Sequence, residues 1–557
     1  MNHVTLLLAA ASLATAAFAA DPVPAFQSAK PAWPEGREKE KNLFVAFRAT
    51  VTPPEAGPVV LRATGATLYR VLVNGAFAGH GPARAGHGFY RVDELDLRPH
   101  LKAGANEIVV EVAGYNASSY YLLDQPSFLQ AEIVAGGRVL AATGAEGFAA
   151  SIRRDRVQKV QRYSFQRPFT EIWRLPGPPA EAAKCATFPA VPLAPRRVPV
   201  PGYGLVRPLA HPFEGTVAIG EMPKKPWKDR SLTNVGPDLG GFPEAELEII
   251  PTLELQTVKN ASSRPATAAE TFKLGGNAFR TVDFGTNLSG FVGARISARA
   301  KTRLYFTFDE ILADDGDVNF RRLGCANAIL YEVEPGTYEV ESFEPYTLRY
   351  LKLIVLEGEC DVSGLYLREL VNPHASRATF ATSDARYNRI FEAARQTFQQ
   401  NATDVFMDCP SRERAGWLCD SFFTARVALD LCGDTSVEKA FLENFQRASS
   451  FGPLPDGMLP MCYPSDHQNG NFIPNWAMWF VVELEEYAAR SGDRELVAAL
   501  EPRVMKLLDY FKRFENSDGL LEKLEKWVFV EWSAANKFVQ DVNYPSSMLY
   551  AGMLDAA

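Results

Sequence analysis

The chain has 557 residues, 47% hydrophobic and 22% charged, with a formal net charge of −8. That length holds about three or four domains, and the composition is ordinary for globular protein. The negative balance argues against nucleic acid or an anionic membrane surface as a partner.

Met1–Ala20 reads as an export signal. Val4–Phe18 is an apolar run too short to span a bilayer, and Ala17-Phe18-Ala19 fits an A-x-A cleavage site. The n-region holds only the amino terminus and His3 as positive groups. The expected location is periplasmic or extracellular. No later segment reaches transmembrane length. Seven cysteines, at 185, 325, 360, 409, 419, 432 and 462, include no C-x-x-C pair. An odd set of this kind is neither a disulfide framework nor a zinc site. A disulfide between Cys409 and Cys419 stays open.

Residues 21–200 read as an all-β domain. Tyr69 to Val73 alternates and then turns at Asn74-Gly75, a strong hairpin signal. Glu107–Ala113 is a short apolar run, and turn signals recur about every ten residues, as in a sandwich or barrel. The stretch Asn74–Arg84 is glycine-rich but lacks the G-K-[ST] ending of a phosphate loop. Tyr115, Tyr120 and Tyr121 are either a sugar-stacking surface or sandwich packing.

Prolines then crowd the chain at 176, 178, 179, 192, 195, 199, 201, 208 and 212. Such density opposes helices and central strands, so residues 201–240 read as a linker over the surface. Residues 241–372 form a second β region. Ala278–Phe284, Thr302–Phe308 and Tyr350–Leu356 are its clearest strands. The loop Asp314–Asn319 reads as an acidic turn, because it lacks the register and closing Glu of a calcium loop. No metal or cofactor is implied by the residues.

From about residue 373 the apolar period changes to 3.6. Ser383 is a candidate cap for a helix with Tyr387, Ile390, Phe391, Ala394 and Phe398 on one face. Gly433 ends a later helix, and Thr435-Ser-Val-Glu438 is a capping box. Further helices run near 475–491 and 494–515, with a break or kink at Pro502. A last one starts at Pro545. About six helices are expected in 373–557.

Between two of these helices lies Asp408-Cys-Pro-Ser-Arg412-Glu413-Arg414-Ala-Gly-Trp417-Leu-Cys-Asp420. Cleaving a glycosidic bond needs an acid to protonate the leaving oxygen and carboxylates around an oxocarbenium-like transition state. Glu413 is the candidate acid, raised in pKa by burial beside Trp417 and a neighbouring Asp. Arg412 and Arg414 would keep Asp408 and Asp420 ionised. Trp417 offers an apolar face to a sugar ring. The competing reading is a structural ion-pair network on an interhelical loop.

This stretch resembles the signature of the bacterial α-L-rhamnosidases, glycoside hydrolase family 78, roughly D-C-P-Q-R-D-E-R-x-G-W-x-x-D. The chain has one residue fewer than that pattern between Asp408 and Glu413. The resemblance implies Glu413 as general acid, with Asp408, Trp417 and Asp420 in the rhamnose pocket; Arg412, between them, is a further substrate-binding candidate. The resemblance adds Trp476, Trp479, His467, Glu531 and Trp532, which stand where the family places sugar-contacting loops. The β regions are likewise similar to the jelly-roll, carbohydrate-binding-like modules that precede the family's (α/α)6 six-hairpin toroid. Six helices are about half of that toroid, so the sequence is expected to be a fragment or a natural truncation. The inverting base of the family would then lie beyond residue 557.

The implied function is an exported glycoside hydrolase removing terminal α-L-rhamnose by inversion. A non-catalytic carbohydrate-binding protein, or an inactive truncated homologue, is the alternative. A polysaccharide lyase fits poorly, since it needs a Tyr or His base and a neutralised uronate.

Overall fold

The structure, a computed structural model, describes residues 24–233, 239–465, 470–539 and 541–557. The export-signal stretch Met1–Ala20 and His467 lie outside the described residues.

The first module is two facing sheets. One runs Cys185–Thr187, Ala32–Pro34, Phe128–Ala135, Val59–Ala66, Tyr90–Asp96, Leu193–Pro195 in spatial order. The other runs Glu181–Ala183, Ala149–Ile152, Leu43–Val51, Asn106–Gly114, Leu68–Val73, Ala76–Gly81. Trp33, Val45, Phe47, Leu61, Tyr69, Val110, Leu129 and Ile133 fill the core. Burying each of the large side chains stabilises by about 1.5–3 kcal/mol. Asn74 and Gly75 adopt φ of 51° and 81° and turn Leu68–Val73 back into Ala76–Gly81. Both central positions of this tight turn need φ > 0, which is why the Asn-Gly pair announces it.

The second module is built on the 21-residue strand Ala278–Ala298. Its first half lies between Ala210–Ile219 and Tyr346–Glu357; its second half pairs with Cys360–Glu369 and Gly336–Glu341. The register with Tyr346–Glu357 shifts between Asp283 and Leu288. The acidic turn is tied down by Lys352, whose ammonium donates to Asp317 Oδ1 across 2.7 Å.

The proline-rich stretch differs from a plain linker. Leu205–Val206 and Ala210–Ile219 are strands of the second sheet. Earlier, Glu171–Leu175 leaves the first module and pairs in parallel with Ala328–Val333. Pro208 and Pro212 flank or interrupt the pairing, and the register of Ala210–Ile219 slips between Ala210 and Phe213. Proline removes a ladder donor, so strands survive around it only with such irregularity. The exchange fuses the modules: Phe44, Leu68 and Tyr115 of the first share one core with Phe169, Phe306, Phe343 and Tyr346.

Six helices longer than two turns follow among the described residues: α1 (Ala385–Asn401), α2 (Leu418–Cys432), α3 (Ser436–Arg447), α4 (Pro474–Ser491), α5 (Arg494–Lys512) and α6 (Tyr544–Ala556). α2 packs on α4 and α4 on α6, while α3 packs on α5. Successive helices therefore alternate between two layers, as in stacked helical hairpins. No helix among the described residues is long and apolar enough to cross a membrane.

Several local expectations are corrected. Asp384, not Ser383, caps α1, accepting from Arg386 N. The apolar stripe of α1 stays outside: Tyr387 and Ile390 are 59% and 63% exposed, and the helix buries only Phe398 and Gln400. The capping box does not form. Asp434 caps α3 through Ser436, and Glu438 is drawn inward to Arg490 of α4 at 2.6 Å. α5 continues through Pro502, because Leu496, Leu500, Val504 and Leu507 on both sides are held in the core. Gly433 does end α2, in the left-handed conformation with its N–H on Leu429 O. All seven cysteines are free thiols, Cys409 and Cys419 included.

Candidate active site

The site is the connection from α1 to α2. Residues 415–418 are laid against 461–463: Leu418 N donates to Met461 O and Tyr463 N to Gly416 O. Position 416 must be glycine at this approach, since a Cβ would stand 2.6 Å from Tyr463 O. Arg414, at φ 56°, reverses the chain. Asp408 and Ala415 then exchange bonds, Asp408 N to Ala415 O and Ala415 N to Asp408 Oδ1, each 3.1 Å. This closes a loop over residues 409–414 and brings Asp408 and Glu413 to one place.

The β modules hold this loop. Arg84 forks onto Asp404, with Nη2 to Oδ1 at 2.6 Å and Nε to Oδ2 at 3.0 Å, and its Nη1 donates to Arg414 O. Burial alone would raise the Asp404 carboxyl; the Arg84 charge outweighs burial and holds it below the usual range. Arg167 donates to Ser411 O at 2.9 Å and to Glu344 Oε2 at 2.8 Å. Tyr115 and Tyr121 donate to the same Glu344. These tyrosines are therefore an intermodule junction rather than a sugar-stacking face.

Glu413 is 5% exposed. Its Oε1 accepts from Gln166 Nε2 at 2.6 Å and pairs with Arg412 Nη2 at 2.6 Å. Its Oε2 accepts from Trp417 Nε1 at 2.7 Å. The arginines do not hold the two aspartates as expected from sequence. Arg412 pairs with Glu413 rather than with an aspartate, and Arg414 turns away to Pro410 O. Asp408 is the carboxyl pushed up, to about 7, by burial and then by the Glu413 charge. Asp420, in the first turn of α2, is raised to about 6 by burial, with Glu413 adding to it. A carboxyl with few donors in a half-buried site keeps its proton longer than one ringed by donors.

A row of rings leads outward. Trp417 meets Tyr120 edge-on at 5.4 Å and Trp476 at 5.0 Å. Trp476 meets Phe529 at 5.6 Å, and Phe529 meets Trp527 and Trp532. Asn475 fixes this wall, accepting from Phe529 N and donating to Ser546 of α6. Trp532 is 82% exposed, and the Glu531 side chain bonds to Ser533 on the same exposed loop.

Of the sequence-chosen residues, the fold gathers Asp408, Arg412, Glu413, Trp417, Asp420 and Trp476. Trp479 is separate: it stacks on Phe422 at 4.6 Å and touches Phe423, in the contact of α4 with α2. Glu531 and Trp532 are at the outer end of the ring row, and His467 lies outside the described residues. Gln166, Arg84 and Arg167 carry no signal in the sequence, whereas Tyr120, offered there as a sugar-stacking candidate with Tyr115 and Tyr121, does reach Trp417. Gln166 and Glu413 are 247 positions apart, and no local pattern joins them. Among the described residues no group of three or more metal-ligating side chains is found.

Residues 375–551 match the family model described as the bacterial alpha-L-rhamnosidase 6 hairpin glycosidase domain. An alpha-L-rhamnosidase of Formosa agariphila is 21% identical over 266 residues, 45% of this chain and 28% of that protein. One of Streptomyces avermitilis is 25% identical over 245 residues, 43% of this chain and 23% of that protein. The chain thus spans about a quarter of the length of the curated relatives it matches. The crystal structure of a GH78 family rhamnosidase of Bacillus sp. GL1 shares the fold, with a TM-score of 0.76 at 20% identity, over 95% of this chain and 74% of that one.

Proposed function

We propose that this chain, whose residues 375–551 carry the six-hairpin domain of the bacterial α-L-rhamnosidases, serves glycoside hydrolysis of terminal α-L-rhamnosides. The observation that carries the reading is the buried Glu413 carboxyl, held by Gln166 on one oxygen and Trp417 on the other, with the raised Asp408 and Asp420 on the same loop and the helix it enters. Glu413 is the general acid for the leaving oxygen. In the unliganded site its oxygens take three donors, from Gln166, Arg412 and Trp417. Arg412, with its side chain 39% exposed, is the donor free to swing away when substrate displaces water.

Asp408 and Asp420 bind sugar hydroxyls. A carboxyl that titrates near neutrality can donate as well as accept, which suits a hydroxyl partner. Trp417 and Trp476 present ring faces or edges to the apolar side of the sugar, and the ring row towards Trp532 lies where an aglycone would leave. Inversion also requires a base about 6.5–9.5 Å from the acid across the ring. We assign no residue to it.

The test is hydrolysis of 4-nitrophenyl α-L-rhamnopyranoside, followed by proton NMR. Early release of β-L-rhamnose is expected. Release of the α anomer first would overturn inversion. Tight binding of rhamnose without any turnover would favour a carbohydrate-binding protein.

A further inference from the structure

We propose that Gln166, from the first β module, is a positioning residue for Glu413 that also sets when Glu413 carries its proton. This rests on the acid role given to Glu413 above.

Gln166 is built into place. It is 4% exposed, and Ser164 Oγ accepts from both Gln166 N and Arg167 N. Gln166 O accepts from Tyr120 N at 3.0 Å. Arg162 Nε donates to Ser164 O, and Arg167 bonds the carbonyl of Ser411, two residues before Glu413. The turn Ser164–Arg167 therefore grips the acid's own loop at two points: Arg167 on the backbone and Gln166 on the side chain.

Among the three donors on Glu413, Gln166 alone can serve both protonation states. Arg412 and the Trp417 indole only donate, so they satisfy the carboxylate and not the carboxylic acid. An amide donates through nitrogen and, after a half-turn, accepts an acid O–H through oxygen. Among the described residues Gln166 Oε1 is buried with no hydrogen-bond partner, so this acceptor is held available beside the acid. Its Nε2 contact, at 2.6 Å, is short.

The other ionisable groups facing Glu413 are Asp408, Cys409 and Arg412 on its own loop, Asp420 on α2, Cys462 across the 415–418 pairing, and Tyr120 of the first module. None of these contacts is altered by changing Gln166 to a side chain of equal length.

Gln166→Met removes the donor and keeps the volume. The ionised form of Glu413 loses a bond, so the alkaline limb of kcat/KM is expected to move to higher pH. Turnover of an alkyl α-L-rhamnoside, whose poor leaving group needs the acid, should fall about tenfold to a hundredfold. Turnover of the 4-nitrophenyl rhamnoside, whose leaving group needs little protonation, should change by less than about threefold. Equal losses on both substrates with an unmoved limb would overturn the proposal, as would unchanged kinetics.

Gln166→Glu is the second variant should the first not fold. A carboxyl beside Glu413 is expected to raise the limb further, and an unmoved limb would refute the role. Carbon-13 titration of glutamate-labelled protein, with Glu413→Gln to identify the resonance, reads the same shift without turnover. A silent substrate assay with a shifted resonance would count against rhamnoside hydrolysis and not against Gln166. An unshifted resonance would count against Gln166 alone.

Discussion

The indole N–H of Trp417 donates to Glu413 Oε2 across 2.7 Å, with both residues almost wholly buried. The four-residue interval between them is not helical. It crosses the reversal at Arg414 and the close approach of Gly416 to Tyr463. The bond therefore reports a preformed carboxyl, aimed before substrate arrives. Glu413→Gln keeps the size and removes the proton donor. Turnover of an alkyl rhamnoside is expected to fall by about 10²–10⁴. A variant within threefold of the unaltered protein would remove Glu413 from the chemistry.

Asp408 and Asp420 make stability depend on pH in a stated direction. Their folded-state values, about 7 and about 6, lie above the ordinary aspartate value of 3.8. A raised value means the folded state holds the proton more tightly than the unfolded chain does. Their contribution is fully present below about pH 4 and is lost as pH rises through 6 to 7. Asp408→Asn abolishes one of these titrations, and its amide oxygen still accepts from Ala415 N. The stability lost between pH 5 and pH 8 should be smaller in the variant by about 1–3 kcal/mol. Parallel urea titrations at the two pH values would show it, and identical losses would contradict the buried-carboxyl account.

Part of this site was readable in sequence because its residues lie on one loop. Asp408, Glu413, Trp417 and Asp420 are local, so their spacing alone brings them near each other. The strands were equally local: Asn74-Gly75 can only be a tight reversal, and Gly433 stops a helix by conformation. The rest is long-range. Gln166, Arg84 and Arg167 reach the loop from the first module, far away in sequence, and no periodicity encodes such contacts or the exchange of Glu171–Leu175 into the second sheet. The charge pattern failed for a related reason. Adjacent Arg412 and Arg414 look equivalent in sequence, but the positive φ at Arg414 sends their side chains to different partners. The stripe of α1 reads as core by period, yet burial depends on a neighbour that periodicity does not supply.

Arg84 and Asp404 join the first module to the helical one through a buried fork. Breaking such a pair leaves an uncompensated charge and costs about 3–5 kcal/mol. Arg84→Met should destabilise by that amount in a denaturant melt. Adding Asp404→Asn should recover part of the loss, because the stranded charge is gone. A single-variant loss below about 1 kcal/mol would show that the fork is not what holds the Glu413 loop to the β modules.

Trp479 and Trp532 separate packing from recognition. Both were candidates for sugar contact, and the fold sends them to different places. Trp479 stacks between α2 and α4 on Phe422 and Phe423. Trp479→Ala should lower stability by about 2 kcal/mol, less than the ~3–5 of a fully buried ring because part of it is exposed. Trp532 meets the rings of Trp527 and Phe529 and is 82% exposed. Trp532→Ala should leave the melting temperature within about 1 °C and raise KM for a rhamnoside with a bulky aglycone, with kcat unchanged. That split is the mark of an interaction made equally in ground and transition states. If Trp532→Ala instead lowers kcat on every substrate alike, the ring row is part of the catalytic floor and not a path for the aglycone.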